Sequence, residues 1–345
     1  MRKILMGLMV LCFSVFAEEY SAGQLVPSIR CDDDYSYILR LPKNYDPARE
    51  EEWPVLFVMS PDGGKEKSLR PYIPGADLCG WILAMSVESK NGTVDSHEAI
   101  TAMMDDVFDR LPVNEKRCYA LGFSGGGREA FWMANKFRRN IIGIIPSGAG
   151  DAGNNYSCDA LAYGLCGANC FNRWDMTITF VERIKKQGVL RFFEGEHAWA
   201  AEPLLTDAML WLNGKYLEED GSSDEINSFS RVLLDEALSR KEAAPEFAYR
   251  ACSVLSEVKG VPVKKELTAL RKDVKQDPAV VEMLAAQEDI QAFAEDNFTS
   301  SVSDCYNERT TKASEKDSAK LCEKYAGTRY EELMRRLGTE SKSLR

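Results

Sequence analysis

The sequence predicts an α/β fold, a mostly parallel sheet flanked by helices, followed by an all-helical extension at the carboxyl end. Three observations predict it. From residue 35 to about residue 212, short β-branched or aromatic runs alternate with amphipathic stretches, the pattern of strands joined by helical crossovers. Beyond Asp224 the strand signal stops, and amphipathic helices broken at Pro245, Gly260-Val261-Pro262, Pro278 and Gly327 take over. Apolar residues make up 45% and aromatics 10% of the 345 positions, enough for a large core and too many for a disordered chain.

In chain order, the first element is a targeting segment. Met1-Arg2-Lys3 precedes an apolar run over residues 4–16, and Ala17 stands before Glu18 and Glu19. This is the layout of a signal peptide over residues 1–17, because a membrane-spanning helix needs about 20 apolar residues. The expected location is secreted or periplasmic. Cleavage removes Arg2 and Lys3 and takes the formal charge from −11 to −13, so nucleic acid is not an expected partner.

Strands are expected at 35–41, 55–59, 81–86, 118–123, 141–145, 160–165 and 189–193. Between the third and fourth, Ile100, Met103, Met104, Val107, Phe108 and Leu111 fall on one helical face. A second helix is expected over 173–187, with Asn172 and Asp175 spaced as a cap pair and Gly188 at its end. Residues 204–212 form the last helix of the catalytic unit. The polar stretch 218–224 places a boundary there, giving a catalytic unit at 18–217 and a helical domain at 218–345. That domain is expected to be separable, to carry no catalytic group, and to bind a protein or self-associate. Residues 260–270 and 327–337 look faintly alike, a hint of a helical-hairpin repeat.

Nine of the 10 cysteines remain after cleavage. That number suits an oxidising compartment, with a few disulfides and at least one free thiol, for which Cys118 in a buried strand is the candidate. Cys158, Cys166 and Cys170 cluster, and Cys305 and Cys322 flank a polar stretch. With no paired C-x-x-C and only 2 histidines, disulfides are favoured over a zinc site. No metal and no cofactor is expected.

The chemistry begins at Gly122-Phe123-Ser124-Gly125-Gly126, which matches G-x-S-x-G. A strand ends at Phe123, and a helix with Ala130, Phe131, Met133 and Ala134 follows. This is the strand–turn–helix setting that exposes a nucleophilic serine; the alternative is a glycine-rich turn that only packs a helix on the sheet. An alcohol nucleophile needs a base. His197 follows the last strand, where the order Ser, acid, His would put it, whereas His97 sits beside Asp95 and Ser96 at a helix start. Backbone N–H groups should hold the oxyanion. Gly125 supplies one, and the loop Ser60-Pro61-Asp62-Gly63-Gly64 supplies another from Asp62 or Gly63, since Pro61 has no N–H; the same loop also reads as an ordinary turn.

The segments 83–92, 117–127, 171–176 and 194–199 together resemble bacterial secreted esterases of the polyhydroxybutyrate-depolymerase-like and feruloyl-esterase-like group, over roughly residues 31–212. The resemblance implies an α/β-hydrolase fold and a Ser–His–acid hydrolase of carboxylic esters, small or polymeric. Ser124 takes the nucleophile's place, His197 the base's, and Trp199 the aromatic position that follows the base. In similar sequences an Asp commonly precedes the Phe-Asn pair; here Cys170 stands there. No residue of the loop 166–172 is acidic. Asp175, the nearest carboxylate, is expected to substitute in part, with Asp151 and Asp159 more distant; otherwise Ser124 and His197 act as a dyad oriented by an amide or water. The competing readings are a catalytically silent hydrolase-like binding protein, motivated by Cys170, and a peptidase or other acyl transferase on the same fold.

Overall fold

A computed structural model describes residues 20–93, 95–151, 157, 159–299 and 312–339. The expected signal peptide, Cys158 and Cys305 lie outside the described residues. Eight strands form one sheet: β1 Leu25–Arg30, β2 Ser36–Arg40, β3 Trp53–Met59, β4 Ile82–Ser86, β5 Val113–Phe123, β6 Ile141–Ser147, β7 Leu161–Gly167 and β8 Gly188–Phe193. Their order is β1-β2-β4-β3-β5-β6-β7-β8. The pairs β1/β2 and β2/β4 are antiparallel and all the others parallel.

Every residue of β3 and of β4 is buried, as the near-continuous apolar runs require of central parallel strands covered on both faces. The seven expected strands are present, and β1 is the one not foreseen. It is a half-exposed edge strand interrupted by Pro27, with a bulge between Val26 and Ile29; proline at an edge is tolerated but weakens the sequence signal.

The helices up to the sheet's end are α1 Glu66–Leu69, α2 Ile73–Cys79, α3 Ser96–Arg110, α4 Gly125–Lys136, α5 Arg173–Ile178 and α6 Glu202–Glu219. The buried face of α3 is Ile100, Met103, Met104 and Val107, as the periodicity predicts. The helix expected over 173–187 is α-helical only to Ile178. It widens to a π-turn over Thr179–Ile184 and ends in a 3₁₀ turn.

The expected cap pair does not form. The Asn172 amide donates to Gly148 O at 2.7 Å, and the Asp175 carboxylate accepts from the Gly150 N–H at 3.0 Å. Both side chains are held by the loop after β6 rather than by their own helix.

The tail comprises α7 Ser223–Arg240, α8 Pro245–Val254, α9 Lys264–Val274, α10 Pro278–Asn297, α11 Lys312–Lys324 and α12 Glu331–Leu337. Because α6 continues to Glu219, the connection to α7 is the short turn at 220–222, closed by a capping box between Ser222 and Glu225. The tail packs on the sheet's own core. Ile290 and Phe293 of α10 and Leu333, Met334 and Leu337 of α12 share one buried cluster with Phe192, Cys166 and Cys170. Arg250 of α8 also pairs with the buried Asp207 of α6 at 2.7 Å.

No helix among the described residues is long and apolar enough to cross a membrane. Cys31, Cys79, Cys118, Cys166, Cys170, Cys252 and Cys322 are all free thiols. Cys118 is thus free as expected, but no disulfide forms among the described residues.

Candidate active site

All six strands from β4 to β8, with β3, run in parallel, so their carboxyl ends share one rim and the loops that follow them meet there. At the centre of that rim β5 ends in Phe123, and Ser124 adopts φ 54°, ψ −118° before Gly125 opens α4. This conformation is strained for a residue with a side chain. It is held by the Ser124 N–H donating to Ser147 O at 2.8 Å and the Gly127 N–H donating to Ser124 O at 3.0 Å.

Backbone contact requires glycine at 122 and 126, and a side-chain end crowds position 125. A Cβ on Gly122 would lie 2.1 Å from Gly126 O, one on Gly126 2.4 Å from Met59 O, and one on Gly125 1.8 Å from the Asn91 carboxamide oxygen. A half-buried serine therefore stands at a sharp strand-to-helix turn above the middle of a mostly parallel sheet. The fold is that of an α/β-hydrolase.

His197 belongs to the loop after β8, and its Nε2 lies 2.8 Å from Ser124 Oγ. Its imidazole packs against the rings of Phe123 and Phe171, with centroids 4.6 and 4.0 Å away. Trp199 packs on Phe123 at 4.9 Å and on Tyr72 at 5.9 Å. Backbone ties set the height of this loop: the Ala168 N–H donates to Phe193 O at 2.8 Å and the Asn169 N–H to Gly195 O at 2.9 Å. Gly167 permits the approach, since a Cβ there would meet Glu196 O at 2.0 Å. The loops after β7 and β8 are thereby fastened together, and Cys170 of the first comes under His197 of the second.

The other ring nitrogen of His197, Nδ1, lies 3.1 Å from Cys170 Sγ. Cys170 is fully buried. The Asn172 N–H points at its sulfur at 3.4 Å, and the Cys166 thiol is within reach of it as well as of Gly167 O, the latter at 3.5 Å. These contacts push the Cys170 thiol down to about 5: the hydrogen bond from Cys166 leads, burial opposes, and the hydrogen bond and charge of His197 add to the lowering. Cys166 is pushed the other way, chiefly by burial.

Arg173, also fully buried, donates to Ala168 O at 2.9 Å, Arg336 O at 3.3 Å and Thr339 O at 2.9 Å, and stacks over Trp174. No carboxylate pairs with it among the described residues. Burial lowers its pKa to about 10, against the pull of Cys166 and Cys170.

Asp175 is not the partner of His197. Its carboxylate is taken by the Gly150 N–H and faces Arg128 at 3.8 Å, and burial raises its pKa against the Arg128 charge. Asp151 pairs with Arg183 at 2.9 Å, and Asp159 is exposed. His97 stacks on Trp132 and pairs with Glu129 at 3.0 Å, in the first turn of α3.

Of the expected oxyanion donors, Gly125 opens a helix and its N–H has no intrahelical acceptor. The Gly63 N–H closes a turn onto Ser60 O at 3.1 Å and is not available. The Asp62 N–H is held more loosely, by Ser60 Oγ at 3.3 Å. Asn91, which sequence reasoning passed over, packs directly on Gly125.

No family model and no curated protein matches the chain. Solved structures are similar to it at low identity. The fluorophosphonate-binding serine hydrolase F of Staphylococcus aureus is 13% identical, covering 56% of this chain and 99% of its own, with a TM-score of 0.46. An S-formylglutathione hydrolase from Agrobacterium tumefaciens is 12% identical over 56% of this chain and 96% of its own, TM-score 0.44. Est1E from Butyrivibrio proteoclasticus is 15% identical over 53% of this chain and 96% of its own, TM-score 0.40.

Proposed function

We propose that the protein is a serine hydrolase of carboxylic esters, exported by its amino-terminal segment, with Ser124 as nucleophile and His197 as general base. The observation that carries the reading is the 2.8 Å contact between Ser124 Oγ and His197 Nε2 at a strained strand-to-helix turn.

Ser124 Oγ attacks the ester carbonyl carbon while its proton passes to Nε2. The oxyanion that develops is held by the Gly125 N–H, with the Asp62 N–H of the facing loop as second donor once it leaves Ser60. Collapse breaks the acyl–oxygen bond, and the leaving alcohol takes the proton from Nε2. Water then repeats the sequence on the acyl-enzyme, giving the acid and free Ser124. Phe123 and Phe171 pack on the imidazole and shield part of it from solvent, while Nε2 and Nδ1 face Ser124 and Cys170.

Fluorophosphonate labelling tests the reading. The native protein should label at Ser124, and Ser124→Ala should neither label nor hydrolyse a soluble aryl ester, with turnover down by several powers of ten and an unchanged melting temperature. Near-normal turnover in that variant would remove Ser124 from the chemistry. Parallel ester and amide substrates separate the esterase from a peptidase.

A further inference from the structure

The slot that usually holds the triad's carboxylate contains a sulfur atom, fully buried, 3.1 Å from Nδ1 of the base. We propose that Cys170 works there as a thiolate, so that the catalytic group is a Ser124–His197–Cys170 triad in which the anion orienting the imidazole is sulfur. The proposal rests on the reading of Ser124 and His197 as nucleophile and base.

Tautomer chemistry requires the anion. Nε2 can take the Ser124 proton only if it carries a lone pair, which puts the ring proton on Nδ1 and demands an acceptor facing it. A neutral thiol at Cys170 would instead offer its S–H to Nδ1. That fixes the proton on Nε2 and disables the base, as an amide does in place of a triad aspartate. A thiolate accepts the Nδ1–H, stays unprotonated through the cycle, and stabilises the imidazolium formed during attack.

The surroundings supply what a buried anion needs. The Asn172 N–H points to Cys170 Sγ at 3.4 Å, and the neighbouring Cys166 thiol, 3.5 Å from Gly167 O, is the leading influence that lowers the pKa of the Cys170 thiol. A charged sulfur is the stronger of the two acceptors open to Cys166, so it takes that proton rather than Gly167 O. The groups facing Cys170 are His197 from the loop after β8, Cys166 from β7, and Arg173 from α5, with Asp175 acting on Cys166. The buried Arg173 guanidinium donates to Ala168 O, Asn169 Oδ1, Arg336 O and Thr339 O and pairs with no carboxylate among the described residues; Cys166 and Cys170 both raise its pKa against burial, so a thiolate at Cys170 supplies negative charge to this cation. The lowered pKa of Cys170 agrees with this balance.

The experiment uses the full-length protein, with Cys170→Ser and Cys170→Asp compared with native. Native protein that neither labels with fluorophosphonate nor hydrolyses esters defeats the Ser124–His197 reading itself, before any variant is made. With native activity present, Cys170→Ser should lower kcat by roughly 10³- to 10⁴-fold, KM moving little, as loss of a triad anion does. Cys170→Asp should return kcat to within about tenfold of native, because a carboxylate restores the acceptor. Ultraviolet difference spectra at neutral pH should show a thiolate band in the native protein that Cys170→Ser lacks. That band is read on native protein and does not depend on either variant's activity. A native protein without the band, a Cys170→Ser enzyme with near-native kcat, or a folded Cys170→Asp enzyme as slow as Cys170→Ser would each overturn the proposal.

Discussion

Cys170 and Arg173 are each costly to bury alone, and a negative sulfur at Cys170 eases the burial of the guanidinium. The pairing has a pH signature. The fold holds Cys170 as a thiolate down to about 5, whereas the unfolded chain keeps that thiol protonated up to its ordinary value near 9. Between those limits the unfolded state binds more protons, so the stability contributed by Cys170 rises with pH and is lost as pH falls through the folded value. The stability difference between native protein and Cys170→Ser, from urea titrations, should therefore widen from about pH 5 towards pH 9; a flat difference would mean a neutral thiol. Above that window the raised Cys166 acts in the opposite sense. Asp175→Asn is a contrasting case. Its oxygen can still accept from Gly150, and its charge faces Arg128, so stability should fall by about 1 kcal/mol or less with turnover within a few-fold. A large loss of turnover at native stability would return Asp175 to the site. Ser124 and His197 were legible in the sequence because local motifs carry them. The sequence placed Cys170 in the acid's slot but did not disclose its charge, which depends on how His197, 27 residues away, and the nearby Cys166 and Asn172 are arranged around the sulfur.

At the scale of elements, the site is made by two loops clamped together after β7 and β8, and only their ends were legible. Alternation of apolar runs located seven strands, since buried parallel strands are nearly continuous in apolar residues. It missed β1, whose exposed residues and Pro27 obscure the pattern. It also read 173–187 as one regular helix, although Thr179 accepts from the Asp151 N–H at 3.0 Å and the turn widens there. Periodicity does not report such side-chain ties to a distant loop. Gly167 is where the clamp can be tested. A methyl group would lie 2.0 Å from Glu196 O, a backbone atom that can move only with the His197 loop. Gly167→Ala should cost roughly 1–3 kcal/mol of stability and, by shifting Nε2 away from Ser124, about 10²-fold in turnover. Thermal melts and ester kinetics measure both, and unchanged kinetics would show that the loop finds its place without the close approach.

For the whole molecule, the decisive feature is that the helical tail completes the core beneath the active site. Phe298, which follows α10, packs against Trp174 at 5.1 Å and Phe192 at 6.1 Å. The carbonyls of Arg336 and Thr339, at and just beyond the end of α12, hold the Arg173 guanidinium. The composition change near residue 220 marks where strands stop, and nothing local in the sequence announces that α12 returns to the sheet. Deleting residues 328–345 should reveal this dependence. It removes three buried apolar side chains, Leu333, Met334 and Leu337, each worth roughly 1.5–3 kcal/mol, and leaves Arg173 short of two acceptors. The summed loss is a large part of the about 5–15 kcal/mol that stabilises an ordinary domain. The truncated protein should therefore melt far below the native one, or fail to fold, and lose fluorophosphonate labelling of Ser124 in step with its structure. Arg173→Met separates the two contributions, because it removes the buried cation while leaving Leu333, Met334 and Leu337 of α12 to fill the core. If Arg173 serves as the counter-charge of Cys170, this variant should fold, lose the thiolate band and slow ester turnover, whereas a fold-only role for α12 predicts a folded Arg173→Met enzyme with native kinetics.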